Sequence, residues 1–282
     1  RESDTKLPLS VSQIISPAAW SQAGKETEKM ATLDVLTYGF ALTTDQGSFG
    51  YSTNSLLRVG NHNILIDTGP SSRRPFLVKA LKARNLEPAD IDIVILTHMH
   101  WDHCQNTDLF TSARVLVNPT EMDYARNPNK WDLAVAAGMA EMMGKMKVDT
   151  VSEGDKIVDG VSIIETPGHT KGHMSILADI DGENVLLAGD AMPESGTVAR
   201  GLPYNVFWDV ADAQESVEKM IAASNVFYPG HDRPFRVEGD EINYLEGPEN
   251  IHVMDSTEGG GTASLTFTVS ATRTVNVDIV QK

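Results

Sequence analysis

With 282 residues, 41% of them hydrophobic, the chain holds enough apolar material for one large domain or two small ones. Its 23 basic and 39 acidic residues leave a formal charge of −16, which repels nucleic-acid phosphates and anionic bilayers, so neither is an expected partner. A single cysteine, Cys104, excludes an intramolecular disulfide.

Residues 1–32 carry scattered apolar positions around Pro8 and Pro17 and read as an N-terminal arm, one that could pack across a second subunit in a homodimer. The chain opens on Arg1, which leaves room for a removed export segment; a cytoplasmic setting is the default expectation. No apolar run reaches the length of a membrane span. Strands are predicted over residues 33–42, 55–59 and 64–66, the last two joined as a hairpin through Gly60-Asn61-His62-Asn63. A helix over 72–84 places Phe76, Leu77, Ala80 and Leu81 on one face and leads to the apolar run ending at Leu96. A strand over 113–118 and a short helix opened by Pro119-Thr120 follow, then a longer helix over 131–147. That helix sets Met139, Met142, Met143 and Met146 at i, i+3, i+4 and i+7, a stripe suited to core or dimer packing, or to a lid over an apolar substrate. Further strands are expected over 161–165, 174–179 and 185–188, and a helix over 211–223. Two alternating runs, 264–269 and 274–280, look like a terminal hairpin.

The chemistry gathers where apolar runs end. Thr97-His98-Met99-His100-Trp101-Asp102-His103 follows directly on Leu96, and His98 and His100, two apart on extended backbone, project to one side. Imidazole and carboxylate are ligands that a borderline divalent ion prefers. Three more apolar runs end in Gly168-His169, Gly189-Asp190 and Gly230-His231, where glycine permits tight turns and close backbone approach. Together these loops offer five histidines and two aspartates, enough for two divalent metal ions with an open position on each; zinc is the expected ion. Cys104, beside His103, reads as a small buried residue rather than a ligand.

The order His-x-His-x-Asp-His, Gly-His, Gly-Asp, Gly-His resembles the metallo-β-lactamase superfamily over about residues 33–234. The resemblance implies an α/β fold, an αββα sandwich, with a metallo-hydrolase domain over 33–237 and a β-rich C-terminal extension, 238–282, packed on it. It also implies a first metal site of His98, His100 and His169, a second of Asp102, His103 and His231, and Asp190 bridging the two. Asp67, in Asp67-Thr68-Gly69, resembles the family's aspartate that orients a ligand histidine, although a plain turn-forming role stays open. His173 has no matching ligand position and reads as structural, while His62 and His252 read as surface residues in turns. Two cations sharing one water lower its pKa toward about 7, so hydroxide becomes the implied nucleophile, with Asp102 and Asp190 as the catalytic carboxylates that ferry the proton.

Within the superfamily, Asp190 stands where true β-lactamases lack a bridging aspartate, and His100 where the flavin-linked di-iron branch has glutamate. The acidic tail opposes an anionic thioester substrate, and the overall charge opposes RNA. N-acylhomoserine lactonases resemble the histidine septet and Thr166-Pro167-Gly168-His169 best, which implies a small-molecule neutral ester or lactone as substrate. One departure is Pro193, where many lactonases carry a tyrosine; Tyr204 in the following loop is the candidate replacement. The alternatives are a persulfide dioxygenase-like enzyme with a single iron, or a thioesterase or nuclease of the same superfamily.

Overall fold

The computed structural model describes residues 31–45, 47–48, 50–248, 250–254 and 264–268. The first half of the chain supplies β1 (Thr32–Thr37), the small ribbon β2 (Thr43–Thr44) and β3 (Gly47–Ser48), then β4 (Asn54–Val59), β5 (His62–Ile66), β6 (Ile93–Ile95), β7 (Arg114–Val117) and β8 (Val148–Thr150). Apart from the ribbon, these form a six-stranded mixed sheet in the order β1-β4-β5-β6-β7-β8. The second half supplies β9 (Lys156–Val158), β10 (Val161–Glu165), β11 (Met174–Ile180), β12 (Glu183–Gly189), β13 (Val226–Pro229), β14 (Phe235–Glu238) and β15 (Glu241–Tyr244). They form a seven-stranded sheet in the order β15-β14-β13-β12-β11-β10-β9.

Alternation along the strands decides how the sheets stack. Ile64 and Ile66, Ile93 and Ile95 point the same way and bury against Val161, Ile163, Ile176 and Leu187 of the second sheet. Their neighbours Leu65, Val94 and Leu96 point to the opposite face and pack with Leu77 and Leu81 of helix α1 (Arg74–Lys82). The second sheet is covered likewise, its Leu186, Ala188 and Phe227 packing on Val217 and Met220 of a long helix over Val210–Ala223. The result is an α/β sandwich with helices outside both sheets. Among the described residues no helix is long and apolar enough to cross a membrane.

Five shorter or longer helices follow α1: α2 (Trp101–Cys104), α3 (Pro119–Arg126), α4 (Met139–Met143), α5 (Gly196–Arg200) and α6 (Val210–Ala223). The hairpin between β4 and β5 closes at Val59 and His62 around Gly60-Asn61, and His62 is exposed. In α1 it is Leu77 and Leu81 that are buried, whereas Phe76 points outward at 64% exposure.

Two expectations are corrected. The helix expected over 131–147 is reduced to the five residues of α4. Before it the backbone runs against the histidine septet instead: Trp101 donates to Ala134 O at 2.9 Å, Ala136 donates to Met99 O at 3.4 Å, and His100 forms a β-bridge with Val135. Gly138, at φ +75°, turns the chain from this extended stretch into α4. Met139 and Met143 are buried in the core with Met142 and Met146 packed against them, so the stripe is core. At the other end of the chain, the run beginning at Ser264 is expected to pair with residues 274–280, which lie outside the described residues together with arm residues 1–30. It forms β17 (Ser264–Thr268), antiparallel to β16 (Asn250–Met254), and His252 sits within β16 rather than in a turn.

Candidate metal centre

Strand direction brings the four polar loops together. β12 and β13 are parallel, and β10 runs with β12 because both are antiparallel to β11, so Glu165, Gly189 and Pro229 end their strands on one side. The loop after β6 meets them there: Met174 donates its N–H to Thr97 O at 2.9 Å. Glycine lets the backbones close in. A Cβ at Gly230 would stand 2.0 Å from Asp190 Oδ1, and Gly189, at φ +52°, turns the chain so that Asp190 faces the cluster.

All seven expected residues come together and are buried. Three sets have ligand atoms within 4.8 Å of one another: His98, His100 and His169; His98, His103 and Asp190; Asp102, His103 and His231. Each imidazole is held by the nitrogen that points away from the cluster. His169 Nδ1 donates to Asn205 O at 2.9 Å, and His231 Nδ1 to Tyr51 O at 3.0 Å and Phe40 O at 3.2 Å. His103 Nδ1 donates to Asp67 Oδ2 at 2.8 Å, and His100 Nε2 to Asp132 Oδ2 at 3.0 Å. Thr97 gives its hydroxyl proton to Asp67 Oδ2 at 2.8 Å and receives His98 Nδ1–H at 3.0 Å.

These partners engage the outward nitrogen of all five imidazoles, so in its neutral form each directs a lone pair inward. His100 Nδ1 and His169 Nε2 then face each other at 3.1 Å with no proton between them. Asp190 places Oδ1 at 3.3 Å from His103 Nε2 and Oδ2 at 3.4 Å from His169 Nε2, while Asp102 Oδ2 lies 3.3 Å from His231 Nε2. His98 Nε2, His103 Nε2 and Asp190 Oδ1 are buried without a hydrogen-bond partner. Lone pairs converging at such distances repel unless a cation sits among them, so this donor set fits metal ions. Its composition and division into groups match a dinuclear His/Asp site.

A family model described as the metallo-beta-lactamase superfamily matches residues 47–231. The chain belongs to this superfamily. A curated relative named as a probable metallo-hydrolase of Methanocaldococcus jannaschii is 30% identical over 190 residues, covering 65% of this chain and 89% of the relative. An N-acyl homoserine lactonase from a Bacillus species is 27% identical over 162 residues, 55% of this chain and 62% of that protein. Among solved structures, a mutant of Bacillus thuringiensis AiiA with N-decanoyl-L-homoserine at its active site shares the fold, with a TM-score of 0.61 at 22% identity, covering 73% of this chain and 94% of that one. The metallo-β-lactamase cleft opens here as a cavity of about 380 Å³ above the cluster, lined by His100, Asp102, His169, Asp190 and His231 below and by Leu42, Trp131, Leu133, Tyr204 and Phe207 around the mouth.

Electrostatics treats the clustered imidazoles unequally. Burial, reinforced by the neighbouring imidazoles, holds His98 well below the usual histidine range, and burial lowers His169 to about 4 against the pull of Asp190. Burial would lower His100, His103 and His231 too, but Asp132 outweighs it at His100, and Asp190 and Asp102 outweigh it at the other two, so all three are raised. Asp190 is pushed up by burial and down by His231 and His103, and ends well below the carboxylate range.

Three contributors were not evident from the sequence as site residues. Asp132 accepts from His100 and from Tyr124 Oη at 2.9 Å. Glu121 is fully buried beside the histidine septet. His173, read as structural, accepts the backbone N–H of Asp190 at 3.0 Å and of Ala191 at 3.3 Å, and so shapes the turn that presents Asp190. Pro193 is not in the cavity wall; its carbonyl accepts the N–H of His231 at 2.8 Å.

Proposed function

We propose that the chain hydrolyses neutral carboxylic esters, lactones foremost, with two divalent ions, zinc expected, held by His98, His100 and His169 and by Asp102, His103 and His231, with Asp190 between them. The observation that carries the reading is the composition of the cavity wall. Leu42, Trp131, Leu133 and Phe207 offer apolar surface to an acyl chain, and among the described residues no lysine or arginine lines the cavity to receive a carboxylate or phosphate. Support also comes from the lactonase relative and from the homoserine product bound in the shared fold.

Bound divalent ions would supply Lewis acidity for the ester carbonyl and lower the pKa of water. The chain's own contribution starts with Asp190, whose two oxygens face both groups of imidazoles and whose charge offsets both ions. Asp102 lines the cavity, where its carboxylate can accept the proton released as a water oxygen bonds to the carbonyl carbon and return it to the departing alkoxide. Tyr204, a lining residue of the same wall, is the proposed donor to the substrate carbonyl, the role that Pro193 cannot fill.

Elemental analysis of the purified protein together with a panel of lactones, aryl esters, thioesters and persulfides tests this. The expected result is two ions per chain and hydrolysis of lactones or neutral esters. One iron per chain with oxygen uptake on persulfides would replace the proposal with the dioxygenase reading.

A further inference from the structure

The carboxylate of Glu121 is fully buried and, among the described residues, meets no lysine or arginine. An uncompensated charge is expensive to bury, so its surroundings carry a reason for it. All three of its hydrogen bonds are accepted ones. Oε1 takes the N–H of Met99 at 2.9 Å; Oε2 takes the hydroxyl of Thr170 at 2.8 Å and the N–H of Gly172 at 3.0 Å. Met99 stands between His98 and His100, and Thr170 follows His169. One carboxylate therefore ties together the two loops that carry the three imidazoles of the first group.

The platform under it is itself fixed. Glu121 lies in the first turn of α3, whose cap Asn118 accepts the N–H of Thr120 at 2.8 Å and donates to Glu165 Oε1 at 2.8 Å, at the end of β10. Gly172 is required for the approach, since a Cβ there would stand 2.1 Å from the backbone nitrogen of Glu121. A neutral amide of the same shape could not take the place of the carboxylate, because its NH₂ would meet at least one of three converging donors.

We propose that Glu121 is a positioning residue of the metal centre: its carboxylate sets the separation of the His98-Met99-His100 loop from the His169-Thr170 loop, and thereby the tightness of the three-histidine group. The inference rests on the dinuclear reading above.

The test compares the wild type, Glu121→Gln, the milder Thr170→Val, and the double variant, each loaded with zinc. Zinc content, the release of each ion to a colorimetric chelator, and the melting temperature of the metal-free protein are measured. In Glu121→Gln one ion should leave about 10 to 100 times faster and the other within about twofold of wild type. Thr170→Val should give a smaller shift of the same ion, and the double variant less than the sum of the two. Wild-type release of both ions in the variants would overturn the proposal. So would an equal acceleration of both that tracks a fall in the melting temperature of the metal-free protein, the signature of a merely structural residue. A wild type that holds fewer than two ions would instead overturn the dinuclear reading and, with it, the inference.

Discussion

At the scale of single residues, Asp190 carries the sharpest expectation. Asp190→Asn keeps the volume and removes the charge that faces both imidazole groups, so turnover should fall by at least about a hundredfold and one ion should be lost, with the fold retained. Circular dichroism, zinc content and kinetics on one sample check it. The opposed shifts of the imidazoles give a pH dependence of definite sign. Metal competes with protons for the inward lone pairs, and a raised pKa means that protons win at higher pH. In the Asp102, His103 and His231 group both imidazoles are raised, whereas in the other group His100 is raised but His98 and His169 are lowered, so acidification should empty the Asp102, His103 and His231 group first. Zinc per chain after desalting at stepwise lower pH should pass through a plateau near one before reaching zero; a single step from two to zero would contradict it. The seven clustered residues could be read in advance because their loops follow apolar runs, three of them directly after a glycine. Asp132 could not: it lies 32 positions beyond His100, and only the bridge between His100 and Val135 brings it near.

At the scale of elements, the methionine stripe and the segment before it exchange roles. Met143 is fully buried, so Met143→Ala should cost about 2–5 kcal/mol in denaturant unfolding and affect all substrates alike. Leu133 is 89% exposed on the cavity rim, so Leu133→Ala should change stability by no more than about 0.5 kcal/mol. Its effect should appear in KM, larger for long acyl chains than for short ones. Parallel unfolding curves and chain-length series distinguish the two positions. Met139, Met142 and Met143 were read correctly as helical, but the extension of the helix back to residue 131 and on to 147 was not. Gly138 and the backbone hydrogen bonds to the septet outweigh the propensity of residues 131–137, and neither contact is local in sequence. Strands rich in buried apolar residues, such as β10 and β12, were placed to within two residues of their observed ends. β14 and β15 were missed because each alternates over only four half-exposed residues, too short a run for the period to stand out.

At the scale of the whole molecule, a charge of −16 acts on every approaching substrate. For an ester bearing a carboxylate, kcat/KM should rise as salt screens the repulsion, while for a neutral lactone it should stay flat; identical salt profiles would show that the surface field does not reach the cavity. The arrangement of the ligands also bears on how the molecule comes apart. The three-histidine group takes two members from the loop after β6 and one from the loop after β10, and the other group takes two from the former and one from the loop after β13. Each ion would thus act as a clasp across the seam of the sandwich, at one rim only. Ions present at a hundred times their dissociation constant would add about 2.7 kcal/mol each, and that gain would belong to the contact between the sheets rather than to either sheet alone. Stripped of them, the sandwich should gape from that rim. Amide exchange should then quicken first at the C-terminal ends of β6, β10, β12 and β13, and last at their opposite ends, so that the metal content of a sample could be read from which end of a strand exchanges.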